Sequence, residues 1–287
     1  MASNNERPSK AERNANARAQ AAARQAQLEA SQKRKSLMVK LGVLAAVVVV
    51  IALVVALIVQ NNNGKIAEEG AIPSGGTNGG GILVTSATTL GGTGSGMVKA
   101  SDEDPESPKD PADPRDLVVG KKGEPVNITM YVDVNCIHCA EFEATYGEQI
   151  NNWLADGKVT VEYRNVGFLD GGSPTNYSSR GANALACVAD KSPEAYTKFV
   201  AALWGHYSQG EMKNSELIKM ARDSGASDAV ESCIDKGDFR PFVAYTTAAA
   251  QADGVRATPT IYIQGKEFQL GTDDFVTEVE AAIKANA

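Results

Sequence analysis

The sequence predicts an α/β layered domain with a long helical insertion, preceded by an N-terminal transmembrane helix. Three observations predict it. An alternating apolar run, Val126-Asn127-Ile128-Thr129-Met130-Tyr131-Val132, leads through Cys136-Ile137-His138-Cys139 into a pattern of Phe142, Tyr146, Ile150 and Leu154 at helical spacing, which is a strand feeding a helix. After a helical stretch the chain returns to strand patterning at Ala257 and closes on a second helical repeat, Phe275, Val279 and Ile283. Near the start, Leu41 to Val59 runs without a charge.

Residues 1–40 carry the positive charge: Arg7, Lys10, Arg13, Arg18, Arg24, Lys33, Arg34, Lys35 and Lys40 against Glu6, Glu12 and Glu29, in a chain of net charge -7. This segment is rich in Ala, Asn, Gln and Ser and nearly free of large apolar side chains, so it cannot bury enough surface to offset its ordering entropy. It reads as a disordered cytoplasmic tail. Nucleic acid is disfavoured as its partner because no aromatic side chain is there to stack on bases.

At about 1.5 Å per residue, residues 41–59 cover about 28 Å, close to the hydrocarbon thickness of a bilayer. Lys33-Arg34-Lys35 and Lys40 put the N-terminal side in the cytoplasm, so everything after Val59 is expected outside. A cleaved signal peptide is the competing reading. The apolar core is longer than its usual apolar region, and Gln60-Asn61-Asn62-Asn63-Gly64 offers no small-x-small cleavage site, which favours an uncleaved anchor.

Residues 60–116 turn to Gly, Ser, Thr and Asn and then to an acidic, Pro-containing run, Ser101 to Asp116. This composition reads as a tether with a reach of about 40 Å if all of it is flexible. Ile82-Leu83-Val84-Thr85 is the exception, an apolar run that either adds a strand to the folded domain or remains in the tether. The acidic run lacks the spacing and glycine of an EF-hand loop and reads as solvated spacer.

The folded domain is placed at 117–287. Gly157 stops the helix after the cysteines, and Val159-Thr-Val-Glu-Tyr-Arg-Asn-Val166 alternates as a half-buried strand, completing a β-α-β unit. Gly171-Gly172-Ser173-Pro174 breaks the chain, and a helical insertion spans about 178–253. Within it Ser192-Pro193 reads as N-cap and N1 of one helix and Ser227 as the cap of another ending near Gly237. Ala257 to Ile263, a Gln264-Gly265 turn and Glu267 to Leu270 give a hairpin before the terminal helix.

Two cysteines in one helical turn can close a small disulfide. Cys136 falls at the helix N-terminus, where unpaired backbone N–H groups, the positive end of the macrodipole and a protonated His138 favour a thiolate. A thiolate with a pKa well below about 8.5 is a good leaving group, which makes the disulfide form an oxidant. Half a zinc site is the competing reading. The remaining Cys187, Cys233 and His206 supply no second pair at metal-binding spacing, so zinc is disfavoured.

Cys136-Ile137-His138-Cys139 after a strand, together with Thr258-Pro259 opening a later strand, resembles the thioredoxin fold. The helical insertion and the His at the second variable position resemble its DsbA-like branch. With the anchor, the chain looks most like the membrane-tethered DsbA-like oxidoreductases of actinobacteria. Ile137 departs from the Pro more common at that position. The resemblance implies Cys136 as the exposed nucleophile, Cys139 as the buried resolving thiol and His138 as the side chain that tunes Cys136. It further implies Pro259 as a cis-proline beside the disulfide, with Thr258 binding an extended substrate through backbone hydrogen bonds.

Cys187 and Cys233 fall in helical tracts of a domain expected outside the cytoplasm, where a second disulfide is the economical reading. Two buried free thiols and a second catalytic pair are the alternatives, the latter disfavoured because neither cysteine falls at a reactive helix start.

The expected function is an extracytoplasmic thiol-disulfide oxidoreductase at the cell membrane, single-pass, oxidising reduced secreted proteins. It needs a membrane reoxidising partner of the VKOR or DsbB type and no cofactor or metal. A reductase or isomerase of the same fold is one alternative, and a membrane-anchored binding module with structural cysteines is another.

Overall fold

The structure, a computed structural model, describes residues 66–103 and 117–287. The basic tail at 1–40, the anchor expected at 41–59 and all of the acidic run after Glu103 lie outside these residues. Among the described residues no helix is long and apolar enough to cross a membrane.

The strands are β1 (Glu69–Ala71), β2 (Ile82–Ser86), β3 (Thr89–Leu90), β4 (Met97–Lys99), β5 (Val126–Val132), β6 (Val159–Asn165), β7 (Thr260–Ile263) and β8 (Lys266–Phe268). A six-stranded sheet has the order β3-β2-β6-β5-β7-β8, and β1 pairs with β4 in a separate two-stranded sheet. Among the described residues only β5 and β6 run parallel, from Val126 opposite Val159 to Val132 opposite Asn165. Such a pair needs a crossover, which α1 (Ile137–Ala155) provides.

Alternation along β5 and β6 splits the sheet into two faces. Val126, Ile128, Met130, Val159, Val161 and Tyr163 join the main apolar core with Phe142, Ile150, Trp153 and Leu154 of α1. The terminal helix α7 (Phe275–Asn286) closes this layer through Phe275, whose ring meets Phe142 and Tyr146 at 4.9 Å.

The other face is polar and still buried. Asn127, Thr129, Glu162 and Arg164 are at most 1% exposed. They pair among themselves: Thr129 donates to Asn127 at 2.8 Å, Arg164 Nε to Glu162 at 3.2 Å, and Arg164 Nη1 to the Tyr131 hydroxyl at 2.8 Å. Tyr131 in turn reaches Asp253 at 3.1 Å.

What covers this face corrects the assignment of 60–116 as a tether. Residues 66–103 are folded, and Ile82–Ser86 is the strand beside β6, with Leu83 opposite Glu162 and Val84 opposite Val161. The glycines ahead of β2 are there for close approach rather than flexibility. A Cβ at Gly79 would collide with the Arg164 guanidinium, and one at Gly81 with the Glu162 carboxylate. Thr77 donates to Glu162 Oε1 at 2.6 Å, and Thr246 donates to the Gly80 carbonyl at 2.8 Å.

The insertion consists of α2 (Tyr177–Lys191), α3 (Tyr196–Gly205), α4 (Asn214–Asp223), α5 (Ala229–Lys236) and α6 (Arg240–Ala252), the last packed on β6. Ser192 stands at an N-cap with Pro193 after it, as expected, but its side chain makes no cap bond, and the N-cap of α5 is Asp228 rather than Ser227. The Ser227 N–H donates to Ser192 Oγ at 2.9 Å and the two hydroxyls lie 3.0 Å apart. With Ser192 so engaged, Pro193–Ala195 forms a 3-10 turn and α3 starts at Tyr196. Gln264 and Gly265, at φ of 50° and 75°, make the tight turn between β7 and β8, the backbone a two-residue hairpin requires.

Candidate active site

Sheet pairing assembles the site. β7 lies antiparallel to β5 with Thr260 opposite Tyr131, so the two residues before β7 arrive at the end of β5 from which the chain turns toward the cysteines. The Thr258–Pro259 peptide bond is cis. Cys136 is the N-cap of α1, with extended backbone at φ -93° and ψ 123°, and its N–H donates to the Asp133 carbonyl at 3.0 Å.

Cys136 and Cys139 are free thiols. Cys136 is 7% exposed and Cys139 2%, so the nucleophile expected to be exposed is nearly as covered as its partner. The cover is the backbone before β7: Cys136 Sγ donates to the Thr258 carbonyl at 3.2 Å.

The two thiols are driven apart in acidity. Cys136 is pulled down to about 5, first by a hydrogen bond from Cys139, then by the Thr258 side chain and the backbone N–H groups of Cys139 and His138, against burial. Cys139 is pushed up, by burial first and then by its bond to and the charge of Cys136. The helix start thus stabilises one sulfur as an anion and keeps the other protonated.

His138 is placed differently from the expectation. Its ring is exposed and its Nδ1 lies 2.9 Å from Glu141 Oε2, one turn along α1. Glu141 is the main cause of its raised pKa, with Cys136 contributing least. What His138 gives the thiolate is chiefly its backbone N–H.

Cys187 of α2 and Cys233 of α5, 46 positions apart in sequence, are disulfide-bonded with Cα atoms 5.8 Å apart. Both are buried, so this bond staples the insertion and stands apart from the site. Among the described residues no group of three or more His, Cys, Asp or Glu is arranged to hold a metal.

Sequence reasoning passed over Asp133, which is 0% exposed at the end of β5. Its carboxylate accepts the Asn135 N–H at 2.8 Å. An Asp two residues before an Asn in a strand-to-helix turn is the available signal, because Asp side chains close such turns on the backbone two residues on.

With this geometry in view, residues 112–285 match a family model described as thioredoxin. No curated protein matches the chain. Among solved structures, the reduced form of the disulfide bond oxidoreductase DsbG from Mycobacterium tuberculosis is 29% identical, with a TM-score of 0.51, covering 65% of this chain and 90% of that one. The thiol-disulfide oxidoreductase MdbA from Actinomyces oris is 23% identical with a TM-score of 0.50, covering 56% and 80%. MdbA from Corynebacterium diphtheriae is 22% identical with a TM-score of 0.51, covering 76% and 95%. The likeness to the two MdbA proteins is one of fold.

Proposed function

The chain belongs to the thioredoxin family over residues 112–285, and on that basis we propose that it is a membrane-tethered, extracytoplasmic thiol-disulfide oxidoreductase that introduces disulfide bonds into secreted proteins. The observation that carries this reading is the pair of free thiols, Cys136 at the N-cap of α1 and Cys139 one turn on, lying against the backbone of Thr258 and cis-Pro259. The likeness to the disulfide bond oxidoreductase DsbG supports the same chemistry.

In the oxidised form a substrate thiolate attacks Cys136 Sγ. The Cys136–Cys139 bond breaks as the substrate–Cys136 bond forms, and Cys139 leaves with the electron pair. Burial raises the pKa of Cys139, so it takes up a proton and stops competing as a nucleophile. The second substrate thiolate then attacks the substrate sulfur of the mixed disulfide and expels Cys136 as a stabilised thiolate. Two electrons pass from the substrate dithiol to the cysteine pair. Thr258 and Pro259, beside Cys136, are the backbone against which an extended substrate would lie.

Turnover requires an oxidant for the reduced pair, and a VKOR- or DsbB-like membrane protein fits an enzyme anchored through residues 41–59. The test is oxidation of a reduced, unfolded two-cysteine protein by the oxidised chain. Cys136→Ser should abolish it, and a variant as fast as the wild type would remove the reading. Alkylation trapping in intact cells tests the direction, since an oxidase keeps its pair mostly oxidised.

A further inference from the structure

Beside the redox pair stands a buried carboxylate that the exchange steps do not use. Asp133 divides its two carboxylate oxygens between separate segments: Oδ1 accepts the Asn135 N–H at 2.8 Å, and Oδ2 accepts the Leu169 N–H at 3.0 Å. Its own carbonyl accepts the Cys136 N–H at 3.0 Å. One residue therefore fastens the turn that delivers Cys136 to the segment after β6. That segment is anchored from behind as well, by Gly167 N–H donating to Thr247 Oγ1 at 2.9 Å and Ser179 N–H donating to Asp170 Oδ1 at 3.0 Å.

The segment carries Leu169, 39% exposed, while Ile137 between the cysteines is 48% exposed. These two large apolar side chains remain in water although Val132, Val134 and Val166, in the segments that lead to them, are buried. Burying a carboxylate is costly unless its lone pairs are used. An apolar side chain would fill the space at less cost, but it would leave the Asn135 and Leu169 N–H groups without this partner.

We propose that Asp133 is a positioning residue that holds Leu169 in fixed register with Cys136, so that an apolar side chain beside a cysteine of the incoming polypeptide seats on Leu169 as its thiol meets Cys136. This rests on the thiol-disulfide exchange proposed above and assigns it a preference for cysteines flanked by apolar residues.

The arrangement is sensitive to pH. Burial raises Asp133 to about 6, with the Ser178 hydroxyl and then the Asn135 and Leu169 N–H groups opposing it and the Asp170 charge adding a little. The other charged or titratable groups facing this corner are the Cys136 and Cys139 thiols of α1, and Arg180 of α2 and Arg240 of α6, which both act on Asp170. Above the Asp133 pKa both oxygens accept. Below it one oxygen carries a proton and the clamp gives up a bond.

The experiment measures oxidation by the full chain of a peptide with leucine-flanked cysteines, the same peptide with serine flanks, and a small dithiol, between about pH 5 and about pH 8. The readout is the ratio of leucine-peptide to small-dithiol rate constants. Asp133→Asn keeps one acceptor and turns an amide N–H toward that of Leu169, so its ratio should fall about ten-fold at the upper pH, the equivalent of one charge-assisted hydrogen bond. The wild-type ratio should itself fall as pH drops through about 6, and the variant ratio should stay flat. Leu169→Ala, a surface change that leaves the backbone bond in place, should erase the discrimination between leucine and serine flanks. A wild-type ratio that is flat with pH, or a Leu169→Ala protein that still discriminates, overturns the proposal even if Asp133→Asn does not fold. Failure of the exchange reading is seen separately, as oxidation of any of the three substrates that survives Cys136→Ser.

Discussion

The sulfur of Cys136 lies 3.2 Å from the carbonyl oxygen of Thr258, a residue 122 positions further along the chain. Two strands set this distance. β5 ends just before the turn to Cys136, β7 begins just after Thr258-Pro259, and the two are neighbours in the sheet. The neutral thiol donates to this carbonyl, while the thiolate takes its donors from the Thr258 side chain on one segment and from Cys139 and the His138 N–H on the other.

The first prediction concerns that anion. In the reduced protein Cys136 should titrate near 5, with no second thiol titrating until strongly alkaline pH, because burial holds Cys139 up. Cys139→Ala removes the largest cause of the depression and should raise Cys136 by about 1–2 units. His138→Ala keeps its backbone N–H and removes only an exposed ring engaged by Glu141. Its effect should stay below about half a unit, the scale of an exposed charge pair. Thiolate absorbance against pH measures all three.

A depressed thiol pKa also links redox state to stability. A thiol in the unfolded chain titrates near about 8.5 and Cys136 in the folded chain near 5, so the fold binds the proton less tightly. Ionisation of Cys136 stabilises the reduced fold fully above the unfolded value, and this stabilisation is lost as pH falls through the folded value. The oxidised protein has no such group. The melting temperature of the reduced protein minus that of the oxidised protein should therefore rise from about pH 5 to about pH 8.5, and a difference that is flat across this window would refute the assignment.

How much of this was legible in the sequence depended on whether the determinant was local. Cys136, Cys139 and the Thr258-Pro259 pair announce themselves within a few residues, and the helices of 178–253 follow from their apolar spacing. The Gly-rich stretch before Ile82 was misread because composition reports that a glycine is present and not what lies against it. Gly79 and Gly81 are there because Arg164 and Glu162 fill the space. The alternation of Val159 to Asn165 likewise looked like a strand with one wet face, while that face is covered by a segment some eighty positions upstream. The Asp133 clamp depends on Leu169, 36 positions away, and the Ser192 hydroxyl is engaged by Ser227, 35 positions away. Neither pairing leaves a local pattern.

The covered polar face gives the third prediction. Glu162 and Arg164 are 0% and 1% exposed at their side chains and bonded to each other at 3.2 Å. Arg164→Met would leave the Glu162 carboxylate buried beside Thr77 and Thr129 with its positive partner gone. A stranded buried charge costs about 3–5 kcal/mol, and urea unfolding should show a loss of that order. A chain beginning at Leu117 would strip β2 from β6 and bare both side chains. It should be less stable than one beginning at Ile66, although it retains nearly all of the residues that match the family model.

The insertion supplies the last prediction. Cys187 and Cys233 close a loop of 46 positions between α2 and α5, and both sulfurs are buried among apolar side chains of the main core. In the chain-entropy account a cross-link over that length stabilises the fold by roughly 4 kcal/mol, because it restricts the unfolded chain more than the folded one. Replacing both cysteines by alanine should lower the unfolding free energy by about that amount, with a smaller addition from the cavity left by the two sulfurs. The Cys136 titration should not move, since neither residue is among the causes of its shift. Urea unfolding and thiolate titration on the same double variant separate the two effects. A double variant whose Cys136 titrates in the ordinary thiol range would mean that the insertion shapes the redox helix as well as stapling itself.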